Sequence, residues 1–88
     1  MEIGKLSLLA PLGDLQNPSI IYDKSKDGWI ATVEVRSGDD WIRIPITNRQ
    51  GDVRVYKRLE SAIKALSKLD FSGASLNWST LEEDTHNA

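Results

Sequence analysis

Aromatic rings and guanidinium groups are the side chains in this sequence best suited to chemistry with a partner, and they alternate along three successive short segments. Arg36 closes the first, Trp41 and Arg43 lie in the second, Arg54 and Tyr56 in the third, and Lys57 and Arg58 follow directly. Residues two apart on a strand share a face, so Arg36, Trp41, Arg43, Arg54 and Tyr56 are expected together on the sheet surface opposite the core. Rings and guanidinium groups there have the chemistry of base stacking and phosphate contact. They equally have that of a protein interface, where Trp and Arg are favoured. Lys57 and Arg58 fall where the third segment enters a helix, and with Arg54 they can grip a phosphate backbone. Basic groups at a helix N-terminus oppose its dipole and gain only from a bound anion.

Residue types that catalysis needs are sparse or badly placed. The single histidine, His86, stands two residues from the end of the sequence, whereas a general base must be held by its neighbours. Asp39 and Asp40 sit in a predicted hairpin turn and Glu82, Glu83 and Asp84 in a polar tail, while paired catalytic carboxylates face each other across a cleft. The six glycines are scattered at turns and form no phosphate loop. With no cysteine, neither disulfides nor thiolate metal sites can form. A non-enzyme that binds something, with no cofactor and no metal, is the expectation.

A chain of 88 residues supports one core and buries roughly 60 to 65% of its unfolded surface. Its net charge of −2 is unevenly spread: residues 43–68 carry +5 and the remainder −7. A basic half can attract an anionic partner, although mixed charge also keeps a small domain soluble, and an acidic total is not the usual footprint of a DNA-binding domain. The apolar opening Lys5-Leu-Ser-Leu-Leu-Ala-Pro-Leu12 is short, follows Glu2 and is broken by Pro11, so it reads as mature structure and not as a signal peptide. No run approaches the roughly 20 apolar residues of a membrane span. A soluble, cytoplasmic protein without a membrane partner is expected.

These side chains need elements to position them. Pro11, Gly13 and Asn17-Pro18 punctuate the first 18 residues, leaving a short strand or helical turn near residues 6–9. Residues 19–23 read as a strand. Alternation is clearest over 29–36, with Trp29, Ala31, Val33 and Val35 facing the core, and continues over 41–47 with Ile42, Ile44 and Ile46 inward. Pro45 cannot donate to a ladder, which places that strand at an edge or at a bulge. Residues 53–57 form a further strand with Val53 and Val55 inward. The period then changes: Leu59, Ala62, Ile63, Leu66 and Leu69 mark an amphipathic helix over 59–69. Residues 74–78 add a last strand with Leu76 and Trp78 near the core, and 79–88 are expected to be a mobile acidic tail.

Residues 51–78, through Gly51-Asp-Val-Arg-Val-Tyr-Lys-Arg-Leu-Glu-Ser-Ala-Ile-Lys-Ala-Leu66 and then residues 71–79, resemble small uncharacterised proteins of bacterial plasmids and integrating elements. That resemblance covers about a third of the chain and implies an accessory protein of a mobile element, with no catalytic residues to carry over. Gly28-Trp29, and Tyr56 before the helix, are also similar to the sheet-plus-helix arm-binding domains of tyrosine integrases. In those domains the sheet enters the DNA major groove, which would put Arg43 and Arg54 at bases or backbone.

The sequence thus predicts one α+β domain over residues 1–78: a mainly antiparallel sheet of four or five strands with one amphipathic helix packed on one face. The expected function is that of a small non-catalytic accessory protein binding another protein or itself, through the sheet face or the edge strand. The alternative is DNA or RNA binding through Arg36, Trp41, Arg43, Arg54, Tyr56, Lys57 and Arg58.

Overall fold

The computed structural model describes residues 1–78, so His86 and the acidic tail over 79–88 lie outside the described residues. The chain opens with helix α1, Ile3–Leu9, which tightens into a 3-10 turn, Ala10–Leu12. Strands β1 (Leu15–Asp23), β2 (Gly28–Ser37) and β3 (Asp40–Pro45) follow, then helix α2 (Leu59–Ser67) and the short strand β4 (Ser75–Asn77). The sheet order is β3-β2-β1-β4. The β1–β2 and β2–β3 pairs are antiparallel and β4 runs parallel to β1. Among the described residues the fold is therefore α+β, with one open, mixed, four-stranded sheet and two helices. No helix among the described residues is long and apolar enough to cross a membrane.

The second helix is a departure from the single one expected. Leu6 explains it: the side chain is fully buried and joins the core with Ile20, Ala31, Val33, Ile46 and Leu66. The start of the chain is also tied down, since Met1 O accepts the Thr47 N–H at 3.0 Å and Glu2 bridges to Thr47. Strand β1 starts four residues before the expected 19 because Asn17-Pro18 lies within it. Asn17 adopts φ 50 and the pairing slips between Gln16 and Ser19. A bulge is the place where a strand tolerates a residue without an N–H.

Residues 53–57 do not form the fifth strand. Strand β3 already pairs with β2 from Thr32 to Ser37, and the Ile46 N–H takes the Ala31 carbonyl at 2.9 Å. Only Trp29 remains on that edge, and it exchanges both backbone bonds with Tyr56, at 2.7 and 2.8 Å. The crossing is close. A Cβ on Gly28 would stand 2.3 Å from Val55 Cγ1 and 3.0 Å from Tyr56 O, so the absence of a side chain there lets the two backbones meet.

This pairing reverses the expected facing of the segment. Tyr56 aligns with Trp29, on the core side of β2, and is buried, while Val53 and Val55 are only half-buried. Helix α2 packs on β2 and β1 through Ala62, Ala65 and Leu66; alanines at the contact let helix and sheet approach closely. Ile63, expected inward, is 51% exposed, as is Ile42 on the edge strand. The helix ends at Ser67, yet Leu69 stays buried in the turn that follows, where Asp70 takes φ 66.

Candidate functional site

Both helices pack on one side of the sheet, since Leu6 and the α2 residues share a core with Ala31 and Val33. The other side carries Ser19, Ile21, Ile30, Thr32, Glu34, Arg36, Trp41 and Arg43, as the strand registers dictate. Its centre is an internal network. Arg43 Nη1 donates to Thr32 Oγ1 at 2.8 Å and to Ser19 Oγ at 3.1 Å, and these two hydroxyls bond each other at 2.6 Å. Arg43 Nη2 lies 3.5 Å from Glu34 Oε2. The other Glu34 oxygen accepts from Asn17 Nδ2 at 2.8 Å and Gln16 Nε2 at 2.9 Å. The bulge at Asn17 thus brings a donor to the Glu34 carboxylate.

Those donors, Asn17 first, then Gln16 and the Arg43 charge, hold the Glu34 carboxyl below the usual carboxylate range. A folded-state pKa below the unfolded one means a contribution to stability that is present above the ordinary glutamate range and lost as pH falls through the lowered value. The Glu34→Gln variant should therefore lose less stability than the parent between about pH 7 and pH 3 in urea titrations. Equal losses would mean that Glu34 is not held by these contacts in solution.

The seven residues proposed from sequence divide into two sets. Arg36, Trp41 and Arg43 share the outer sheet face, where the Arg36 guanidinium sits 5.5 Å from the Trp41 ring centre. Arg54, Tyr56, Lys57 and Arg58 belong to the helix side instead. There the Arg54 guanidinium covers the buried Tyr56 ring at 5.1 Å, and burial pushes the Tyr56 phenol above its ordinary range while the Arg54 charge pulls it down. Each ring expected as a stacking platform thus has an arginine over it.

Arg54, Lys57 and Arg58 instead border a groove of about 450 Å3 whose far wall is α2, with Ser61, Lys64 and Lys68. A second groove adjoins it, sharing Ile3 and Arg54 and adding Arg49 and Glu2. Among the described residues only Arg58 of these cations has a carboxylate partner, Glu60 at 2.6 Å. Arg49, Lys64 and Lys68 are not among the site residues expected from sequence, although the four-residue spacing of the two lysines is a signal that both lie on one helical face.

On the other flank of α2 lies an apolar groove, also about 450 Å3, between the helix and β4. Ile20 and Leu66 form its base; Leu59, Ile63, Phe71 and Leu76 line it further out. Ile63 and Leu76 are 51% and 40% exposed, and Trp78, just beyond β4, is 44% exposed. Leu76 and Trp78, expected near the core, are at its rim because β4 has only three residues and stands at the sheet edge. Among the described residues no group of three or more His, Asp or Glu side chains is placed to hold a metal ion. Comparison of the chain with known protein families, curated proteins and solved structures finds no match.

Proposed function

We propose that the chain is a small non-catalytic binding domain that takes an extended segment of a protein partner into the apolar groove between α2 and β4. The observation that carries this reading is that Ile63 and Leu76, large apolar side chains left 51% and 40% exposed, both line this groove, with Trp78, 44% exposed, directly following β4. Exposed apolar clusters of this kind mark interaction sites. Strand β4 adds a second attraction: it stands at the edge of the sheet. A partner strand can pair along such an edge while alternate side chains enter the groove. On this reading the protein contact is at the β4 edge and not on the outer sheet face, whose central arginine is engaged within the chain. An accessory role in a mobile element, as the resemblance of residues 51–78 implies, is compatible with such a domain.

The test is selection of binding peptides from a display library, followed by NMR mapping on the labelled protein. Amide shifts at residues 63, 71 and 75–77 are expected, with peptides that alternate apolar and polar residues. Leu76→Glu should weaken their binding at least tenfold, about 1.4 kcal/mol, without loss of fold, because Leu76 is at the rim. Shifts confined to the outer sheet face would overturn the reading. Nucleic acid, the alternative partner, has its own supporting observation on the opposite flank of α2, where the basic side chains gather.

A further inference from the structure

We infer that the basic groove between residues 54–58 and α2 binds the phosphate backbone of a nucleic acid strand. Six of the seven basic residues in the positively charged stretch 43–68 line this groove and the one adjoining it: Arg49, Arg54, Lys57, Arg58, Lys64 and Lys68. Among the described residues a single carboxylate, that of Glu2, lines either groove. Collecting cations raises their mutual repulsion, which a bound polyanion relieves. Helix α2 begins at the rim with no side chain capping it, so its first amide groups also favour negative charge there. Glu60 opposes this locally and neutralises Arg58, leaving Arg54, Lys57, Lys64 and Lys68 as the main contacts.

The arrangement selects an extended, densely charged ligand. The cations stand on two facing walls, and Lys64 and Lys68 are about 6 Å apart along the helix axis. A single phosphate meets only part of such a rim, whereas a nucleic acid strand presents one negative charge per nucleotide along its length. The binding mode also follows. Tyr56, the one aromatic residue among the described residues lining the groove, is buried with Arg54 over its ring, so it offers no open platform for base stacking and the contact is to the backbone. Recognition of this kind is independent of sequence and strongly salt-dependent. It does not rest on the protein-binding reading, because the apolar groove lies on the other side of the helix.

The experiment is fluorescence anisotropy of a labelled, mixed-sequence single strand of about 20 nucleotides, titrated with the full chain between about 20 and 150 mM salt, a range over which backbone contacts weaken steeply. The double variant Lys64→Ala, Lys68→Ala keeps good helix formers on an exposed face, and its circular dichroism should match the parent. Its affinity at low salt should fall at least tenfold, and the slope of log K against log salt should become shallower by about 1.4, or roughly 0.7 for each lost contact. Ile63→Ser, on the apolar flank, should leave both unchanged. Absence of binding at the lowest salt, or a double variant with the parent's slope, would overturn the inference. So would competition by polyglutamate equal to that of unlabelled strand, which would assign the groove to an acidic protein. Displacement by millimolar inorganic phosphate would likewise overturn it, in favour of a single-phosphate site.

Discussion

Leu6→Ala is expected to lower the stability of the chain by about 2 to 5 kcal/mol, the range for emptying a buried leucine site. Leu6 is among the largest fully buried side chains, in contact with the core that α2 forms on the sheet. A domain of 88 residues has roughly 4 to 13 kcal/mol to lose, so the substitution removes a large part of it. Leu8 is 72% exposed on the same helix, and Leu8→Ala should change stability by less than about 0.5 kcal/mol. Urea unfolding of the two variants separates the alternatives. A loss at Leu6 no larger than that at Leu8 would mean that α1 is detached in solution and that the core closes without it.

Tyr56 gives the second large effect. If the residue is part of the core, Tyr56→Ala removes a buried ring and should cost about 3 to 5 kcal/mol, while Tyr56→Phe keeps the ring and should change stability by less than about 1 kcal/mol. Among the described residues the phenol hydroxyl has no hydrogen-bond partner and no buried side-chain polar atom is unsatisfied, so removing the hydroxyl leaves nothing orphaned. If Tyr56 were instead a contact for a partner, alanine would affect binding more than folding. Thermal melts and urea titrations of both variants decide this, and near-equal stabilities of Tyr56→Ala and Tyr56→Phe would return the residue to the candidate site.

Much of the sheet was legible because its signals are local. Strands β2 and β3 carry strict alternation, and their two-residue connection through Gly38, at φ 62, is the tight turn that a glycine between such strands announces. Pro45 marked an edge strand, and β3 is one. The facing of residues 53–57 was not legible, because alternation gives a period without saying which parity is inward. Backbone pairing with Trp29 settled it and buried Tyr56 in place of Val55. Ile63 failed as a core residue for a related reason. Any helical stripe has two borders, and the sheet surface decides which one is covered; here Ala65 lies against the core and Ile63 lines the groove.

The amino-acid sequence by itself determined the class of fold and the supply of chemistry. Its short-range periods specify where strands and a helix form, and its composition places the basic residues in one half of the chain. Only the tertiary structure decided how those residues are grouped. Arg43 became a structural tie across Ser19, Thr32 and Glu34 because neighbouring strands brought two hydroxyls and a carboxylate under it. Lys64 and Lys68 became neighbours of Arg54 and Lys57 because α2 packs beside the segment that crosses at Gly28. The physical reason is the range of the interactions. Propensity and alternation act over a few residues, whereas grooves are made where segments far apart in the chain meet, and those meetings depend on packing and on which backbone edges remain unpaired.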